Sequence, residues 1–505
     1  MPRALMIQGT ASHVGKSVLT AAFARWLSDG GWRVAPFKAQ NMSLNSFVTL
    51  QGEEIARSQA VQAEALGLEP TADMNPILLK PLDSGCQVIA RGHPVGLMSI
   101  HDYYAWKGHA WRAITESYDR LARAFEVIVL EGAGSPAEIN LREHDLANMR
   151  MAHHADAVVV IVADIERGGV FAQLVGTWEL LSPEERRRVV GFLINKFRGD
   201  PSLLSAGLAY LRQRTGRPVL GVLPYDPSLA LDEEDSLGLT ATTPTGEIDV
   251  AVICLPGISN FTDVAPLARV PGVGVRLVSE AGHLRRPDLI ILPGTRTTQR
   301  ARAWLRACRL DDAIRAAAGQ PDGPYVLGLC GGYQLLGHAI DDPDGVEAPG
   351  QSEGLGLLDV DTRFHRHKTL YRVEAEVLAR GSLGDGCPVV GYEVHQGITQ
   401  RRPGVAPWLR LRRRPGGDSS DDGAIRPDGR VLGTYVHGLF DDARFCRAVV
   451  HELRRRKGLP PLTDDAWERH RRAWAERYER LVCWLTQHCV LGPIVEACRL
   501  ERGRC

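Results

Sequence analysis

Six short apolar runs punctuate the first half of the chain: RALMIQG, WRVAPFK, FEVIVLEGAG, AVVVIVADIE, VVGFLINKF and PVLGVLPY. Each is followed by a loop and an amphipathic stretch. A strand that is apolar almost throughout has no face to turn to water, so it belongs in a parallel sheet covered on both sides by helices. Residues 226–248, DPSLALDEEDSLGLTATTPTGEI, are acidic and then rich in Thr, Pro and Gly, the composition of a connection between domains. A second series follows it: DVAVICLPG, VGVRLVS, DLIILPGT, PYVLGLCGG, GLGLLDVD, RVEAEVL, VVGYEVHQG and RVLGTYVHGLF. The expected fold is α/β in two domains. A parallel-sheet domain over residues 1–230 carries a P-loop, and a linker spans 231–248. A second α/β domain, with a mixed sheet, covers 249–445, and an Arg-rich helical extension covers 446–505. The chain's 505 residues exceed what one core usually serves, which agrees with this division.

The totals exclude several function classes. Sixty basic side chains balance sixty acidic ones, so no electrostatic footprint points to nucleic acid or an anionic membrane. The ten cysteines include no C-x-x-C pair, which suggests neither a zinc site nor a disulfide framework. No run is long enough for a signal peptide or a membrane span, and a reducing cytoplasm is the expected location.

Two glycine-cornered sites carry the chemistry. In MIQGTASHVGKS, Gly9, Thr10, Gly15, Lys16 and Ser17 stand between the first strand and the first helix. Backbone N–H groups of such a loop bind phosphate, the lysine reaches the outer phosphates, and the serine hydroxyl ligates Mg²⁺. Gly9 and Gly15 enclose five residues, one more than the usual P-loop. In an open α/β sheet, ligands bind beyond the carboxyl ends of the strands. Glu131, which ends VIVLE, is therefore a candidate Mg²⁺ ligand, with Asp164 and Glu166 as further strand-end acids. Lys38 in FKAQNMSLNS and Lys80 in DMNPILLKP are cations in polar surroundings, candidates for substrate or phosphate together with Asn41 and with Asp145 of DLANM.

The second site is GLCGG, residues 328–332, which has the form of a nucleophile elbow with cysteine at its centre. The turn is strained and tolerates only small neighbours. It presents Cys330 at a helix N-terminus, a setting that favours the thiolate. The N–H of Gly331 is then placed to meet an acyl oxyanion, and the loop at Gly294 in DLIILPGT offers a second. The base is His437 in GTYVHGLF, distant in sequence and adjacent in space if its strand pairs with that of Cys330. The competing reading is a buried structural cysteine, which the remaining nine cysteines keep.

These sites, in this order, resemble the cobyric acid synthases, glutamine-dependent amidotransferases of cobalamin synthesis. The likeness runs over roughly residues 4–445. It rests on IQGTASHVGKS, FKAQNMSLNS, DMNPILLKP, LEGAGSPAEINL, DLANM, NKFRGD, GLCGGYQLLG, GYEVHQG and GTYVHGLFD. The five-residue P-loop spacer is shared with dethiobiotin synthetase-like ATPases, and the second domain is similar to class I glutamine amidotransferases. The resemblance implies that Cys330 attacks glutamine, His437 handles the protons, and ammonia is released. It implies that the first domain uses ATP and Mg²⁺ to phosphorylate carboxylates of adenosylcobyrinic acid a,c-diamide, which ammonia then amidates at the b, d, e and g positions. The partners implied are small molecules: ATP, glutamine and a corrinoid.

There are departures from the family pattern. His13 stands where Asp is common, DRGG reads ERGG with Glu166, and PGSK reads PGTR with Arg296. His437 is followed by Gly438 and Leu439, with no acid two residues on, so the group that orients it is left unassigned. Two other readings stand beside the first. One is a cobyrinic acid a,c-diamide synthase, against which Asn41 and Asn45 in QNMSLNS weigh. The other is a nucleotide switch with a degenerate amidotransferase domain, against which the presence of Cys330 weighs.

Overall fold

A computed structural model describes residues 3–82, 85–229, 231, 246–417 and 419–500. It resolves into two compact units. The first comprises Met1–Ser43, Ile55–Asp232 and Ala475–Cys505, and the second Leu44–Glu54 and Glu233–Trp474.

The first unit is built on six parallel strands, ordered Val219–Pro224, Val189–Phe197, Val158–Asp164, Arg3–Gly9, Val127–Glu131, Val34–Phe37. The alternation along Arg3–Gly9 explains why a nearly all-apolar strand is required. Ala4 and Met6 join one core with Ile114, Tyr118 and Leu121 of the helix Ile100–Ala124, whereas Leu5 and Ile7 join another with Leu19, Phe23 and Leu27 of the helix Lys16–Asp29. Neighbouring side chains on a strand point to opposite faces, so both faces must be apolar when both are covered. The long helix starts at a reciprocal capping box between Ser99 and Asp102. A smaller sheet in the same unit pairs Gln40–Met42 with Ile77–Leu82, followed by Gly85–Ala90 and His93–Met98.

The second unit holds a six-stranded sheet ordered Val273–Val278, Ile248–Ile253, Leu289–Leu292, Tyr325–Leu329, Val431–Thr434, Ala424–Ile425, parallel except at the last strand. The mixed sheet is as expected. A second sheet, mostly antiparallel, is dominated by Val360–Val377 against Pro388–Arg401 and ends at Val436–His437. The chain thus passes from one sheet into the other across Tyr435, and His437 stands just past that crossing.

The expected extension over 446–505 is divided instead. The helix Ala443–Arg456 buries Phe445, Val449, Val450 and Leu453 in the core of the second unit. The helices Arg477–His488 and Gly492–Ala497 place Leu481, Leu485 and Ile494 in a core of the first unit. A backbone bond from Val490 N–H to Leu220 O fastens this end to the sheet's edge strand. The reason is burial: each helix carries an apolar face, and each finds a sheet to cover. Most of the expected linker over 231–248 lies outside the described residues.

Candidate functional site

In the first unit the candidate residues gather at the carboxyl ends of the parallel strands. Gly15 has φ +101° and precedes the helix that Lys16 opens; a methyl group there would fall 2.2 Å from Asn195 Nδ2. A methyl group on Gly9 would meet Val14 Cγ2 at 2.6 Å. Both positions therefore require glycine, one for its backbone angle and both for space. Thr10 donates to Gln173 Oε1 at 3.1 Å, and Asn195 Nδ2 donates to Val14 O at 2.9 Å, which holds the loop from behind. Lys16 Nζ donates to Ala11 O at 2.9 Å and to Gly134 O at 3.2 Å, so its ammonium lies across the loop's mouth.

Glu131 is the hub. Its Oε1 accepts from Ser17 Oγ at 2.9 Å and from Lys38 Nζ at 2.8 Å, and its Oε2 accepts from Gln62 Nε2 at 2.6 Å. The Lys38 and Glu131 side chains are 3% and 0% exposed, a fully desolvated pair that is stable only because each charge has a partner. A serine hydroxyl and a carboxylate sharing one oxygen's surroundings are hard donors suited to Mg²⁺, and a cation, Lys38, already rests on that oxygen. Among the described residues no three His, Cys, Asp or Glu side chains converge on a metal-sized site.

The other candidates have partners of their own. Asp164 is buried, 3.0 Å from Lys196 Nζ, and accepts from the backbone of Glu166. Asn41 donates to Ser58 and Gln59, and its strand is hydrogen-bonded to that of Lys80, which is also buried. Asp145 has a different setting. It accepts from the backbone N–H groups of Ala147 and Asn148, and Asn148 in turn bonds to Ala133. Asp145 thus braces the loop after Glu131. Burial raises its carboxyl above the ordinary value, against those hydrogen bonds and Lys107. Glu166 pairs with Arg198 near the surface.

In the second unit Cys330 ends the strand Tyr325–Leu329 with φ +51° and ψ −108°, a conformation that costs a non-glycine residue on the order of 1–3 kcal/mol. The corner is closed by its neighbours. A methyl group on Gly332 would lie 1.9 Å from Leu292 O, and one on Gly331 would lie 2.7 Å from Thr295 Cγ2. Leu329 pairs with Thr434, and Cys330 N donates to Thr434 O at 2.8 Å, so the strand bearing the thiol runs beside the strand leading to His437. Cys330 Sγ donates to Val394 O at 3.8 Å, and the thiol is close enough to the imidazole to act on its proton affinity. His437 Nδ1 is 2.6 Å from Asp263 Oδ2, and Asp263 Oδ1 accepts from Gly438 N at 2.9 Å. Gly294 pairs with Ser259 and lies against the His437 ring; a methyl group there would sit 3.3 Å from Cε1. Tyr392 stacks on the imidazole, with ring centroids 5.5 Å apart.

Burial by itself would lower the His437 pKa. The Asp263 charge and hydrogen bond, with a smaller contribution from Cys330, raise it to about 10. A cysteine, a histidine and an aspartate in line form the arrangement of a nucleophile, its proton carrier and an orienting acid. Asp263 answers the question left by Gly438 and Leu439. It comes from the turn Phe261–Val264, far from His437 in sequence, and no spacing in GISNFTDV marks it. Gln62 is equally unmarked, whereas Asn195 and Tyr392 fall within NKFRGD and GYEVHQG with no role assigned to them there.

Two families match the chain. A family described as CobB/CobQ-like glutamine amidotransferase domain matches residues 249–445, and one described as CobQ/CobB/MinD/ParA nucleotide binding domain matches residues 5–238. A cobyric acid synthase of Sorangium cellulosum is 49% identical over 501 residues, covering 94% of this chain and 95% of that protein. One of Pelotomaculum thermopropionicum is 50% identical over 468 residues, covering 91% and 89%, and one of Desulforamulus reducens is 44% identical over 514 residues, covering 100% and 99%. A solved glutamine amidotransferase overlaps 40% of this chain and 98% of its own, at 20% identity and a TM-score of 0.30.

Proposed function

Since the chain belongs to the cobyric acid synthase family and is a glutamine-dependent amidating ligase, we propose that it uses ATP and glutamine to amidate the b, d, e and g carboxylates of adenosylcobyrinic acid a,c-diamide. The observation that carries the reading is the grouping of Cys330, His437 and Asp263 within one unit, while the other unit separately holds Lys16, Ser17 and Glu131 at its strand ends.

In the hydrolytic half-reaction the Cys330 sulfur, as thiolate, adds to the side-chain carbonyl of glutamine. The oxyanion is met by the N–H of Gly331, with Gly294 as the second donor. Protonated His437, held by Asp263, gives its proton to the departing nitrogen, and ammonia leaves a thioester on Cys330. Water, deprotonated by His437, then releases glutamate and restores the thiol.

In the ligase half-reaction a substrate carboxylate attacks the terminal phosphate of ATP, giving an acyl phosphate and ADP. Ammonia displaces phosphate to form the amide. A carboxylate needs this step because its own oxygen is a poor leaving group. The Gly9–Ser17 loop binds the nucleotide phosphates through backbone N–H groups and Lys16. Ser17 and Glu131 would hold Mg²⁺, which when bound would supply charge neutralisation at the phosphates. Lys38, Asn41 and Lys80 are candidates for contacting substrate or phosphate, as is Asp164, while Asp145 acts through its loop.

Among the described residues the nine cysteines are free thiols, and no helix is long and apolar enough to cross a membrane. Product mass tests the whole reading: incubation with ATP, glutamine and the a,c-diamide should add four amides, whereas amidation of cobyrinic acid only at a and c would select the cousin enzyme. Cys330→Ala should abolish glutamine-supported amidation and spare turnover with ammonium salts. Lys16→Ala should abolish both.

A further inference from the structure

Within the second unit the chain crosses between the two sheets at Gly423 and again at Tyr435. Ser419–Asp422 pairs with Leu409–Arg414 in the mostly antiparallel sheet, and after Gly423 the chain enters the six-stranded sheet as Ala424–Ile425. It leaves that sheet at Thr434 and re-enters the antiparallel one as Val436–His437. Resting on the function proposed above, we infer that Asp422, at the first crossing, is a positioning residue of the glutamine-hydrolysing centre. It holds the second crossing and so sets Cys330 and His437 in register with each other.

The hold is a short chain of hydrogen bonds. Asp422 is buried, and its Oδ2 accepts from the Thr434 hydroxyl and from Tyr435 N, the latter at 3.2 Å. Thr434 Oγ1 in turn accepts from Val436 N at 3.0 Å. A backbone N–H can only donate, so the single hydroxyl proton is left for the carboxylate. Residues 434–436 are thus fixed by one oxygen. The first of them offers the carbonyl that Cys330 N meets at 2.8 Å, and the last precedes His437. The backbone behind the carboxylate is fixed as well. Trp408 N donates to Asp422 O at 3.2 Å, and Gly423, at φ +71°, lies so close to the second crossing that a methyl group there would fall 2.3 Å from Gly433 O.

Cys330 stands at the end of a strand of one sheet and His437 lies in the other, so the crossing between them sets their spacing. Misplacing a reacting group by about 1 Å can cost about 10²-fold in rate. The role asks for an acceptor and not for a charge. Burial, and then the nearby Glu393 charge, raise the Asp422 carboxyl above its ordinary value, and both of its bonds to the crossing end on a single oxygen of the kind a side-chain amide also offers.

The test uses the full chain and follows kcat and KM for glutamine hydrolysis, iodoacetamide labelling of the Cys330 peptide by mass spectrometry, and ammonium-supported amidation. Asp422→Ala should lower kcat by about ten- to hundredfold with KM changed by less than about twofold. It should also slow the labelling and leave ammonium-supported amidation unchanged. Asp422→Asn, which keeps the acceptor, should return kcat to within about threefold of the wild type. If Asp422→Ala does not fold, Thr434→Val takes its place and Thr434→Ser becomes the rescue. Wild-type kcat in Asp422→Ala, a loss that falls on KM instead, or a loss in Asp422→Asn as large as that in Asp422→Ala overturns the inference, and the same outcomes decide the Thr434 pair. A wild-type protein that hydrolyses no glutamine overturns the proposed function instead, so the two failures are distinguishable.

Discussion

At the scale of single residues, the chemistry depends on one contact that spacing does not reveal. Cys330 and His437 were legible because each sits at a strand end beside glycine, but Asp263 is in no motif. Its role predicts that Asp263→Asn keeps the fold, lowers glutamine-supported amidation by about 10³-fold or more, and leaves ammonium-supported amidation intact in parallel assays. The same carboxylate makes stability depend on pH. His437 is held at about 10 in the folded chain, above its ordinary value of 6.5. The folded state therefore binds the proton more tightly than the unfolded one, and this contribution is complete below about pH 6.5. It declines as pH rises toward 10 and is gone above it. Urea midpoints of the wild type should fall over that window, and those of His437→Gln should fall less.

At the scale of elements, the two sites share one construction: a parallel strand ends, a glycine permits a turn that side chains would block, and a helix begins. The apolar runs announced the strands, and GKS and GLCGG announced the corners, because steric demands at a corner are local and written in adjacent residues. Gly332→Ala tests this. Its new methyl would meet backbone oxygen of Leu292 at 1.9 Å, and backbone cannot swing aside. A loss of about 2–3 kcal/mol or more is expected in chemical denaturation. Gly319→Ala, where nothing lies within 4 Å of the new methyl, should be near neutral. What the elements hid was Glu131's company. Lys38 meets its carboxylate because strand order places Val34–Phe37 next to Val127–Glu131, and Gln62 reaches it from the helix Arg57–Ala65; neither strand order nor helix placement is a property of any one segment.

At the scale of the whole molecule, the chain is not two beads on a string. The first unit takes back residues 475–505, and the second takes in residues 44–54. Removing everything after Trp474 would strip Leu481, Leu485 and Ile494 from a core of the first unit. At about 1.5–3 kcal/mol for each buried aliphatic side chain, the cost approaches the total stability of many domains. The 1–474 chain should therefore melt well below the full chain in calorimetry and lose ATP-dependent amidation from either nitrogen source.

By itself the sequence determined the strand–helix alternation, the two glycine corners and the residues with reactive groups on them. These depend on periodicity, backbone sterics and side-chain chemistry, all of which act over a few neighbouring residues. Only the tertiary structure decided that Asp263 would hold His437, that Lys38 and Gln62 would share Glu131, and that the chain's end would complete its beginning. Those outcomes turn on which strands lie side by side and where apolar faces find cover, and burial rewards any partner that fits, however far along the chain it lies.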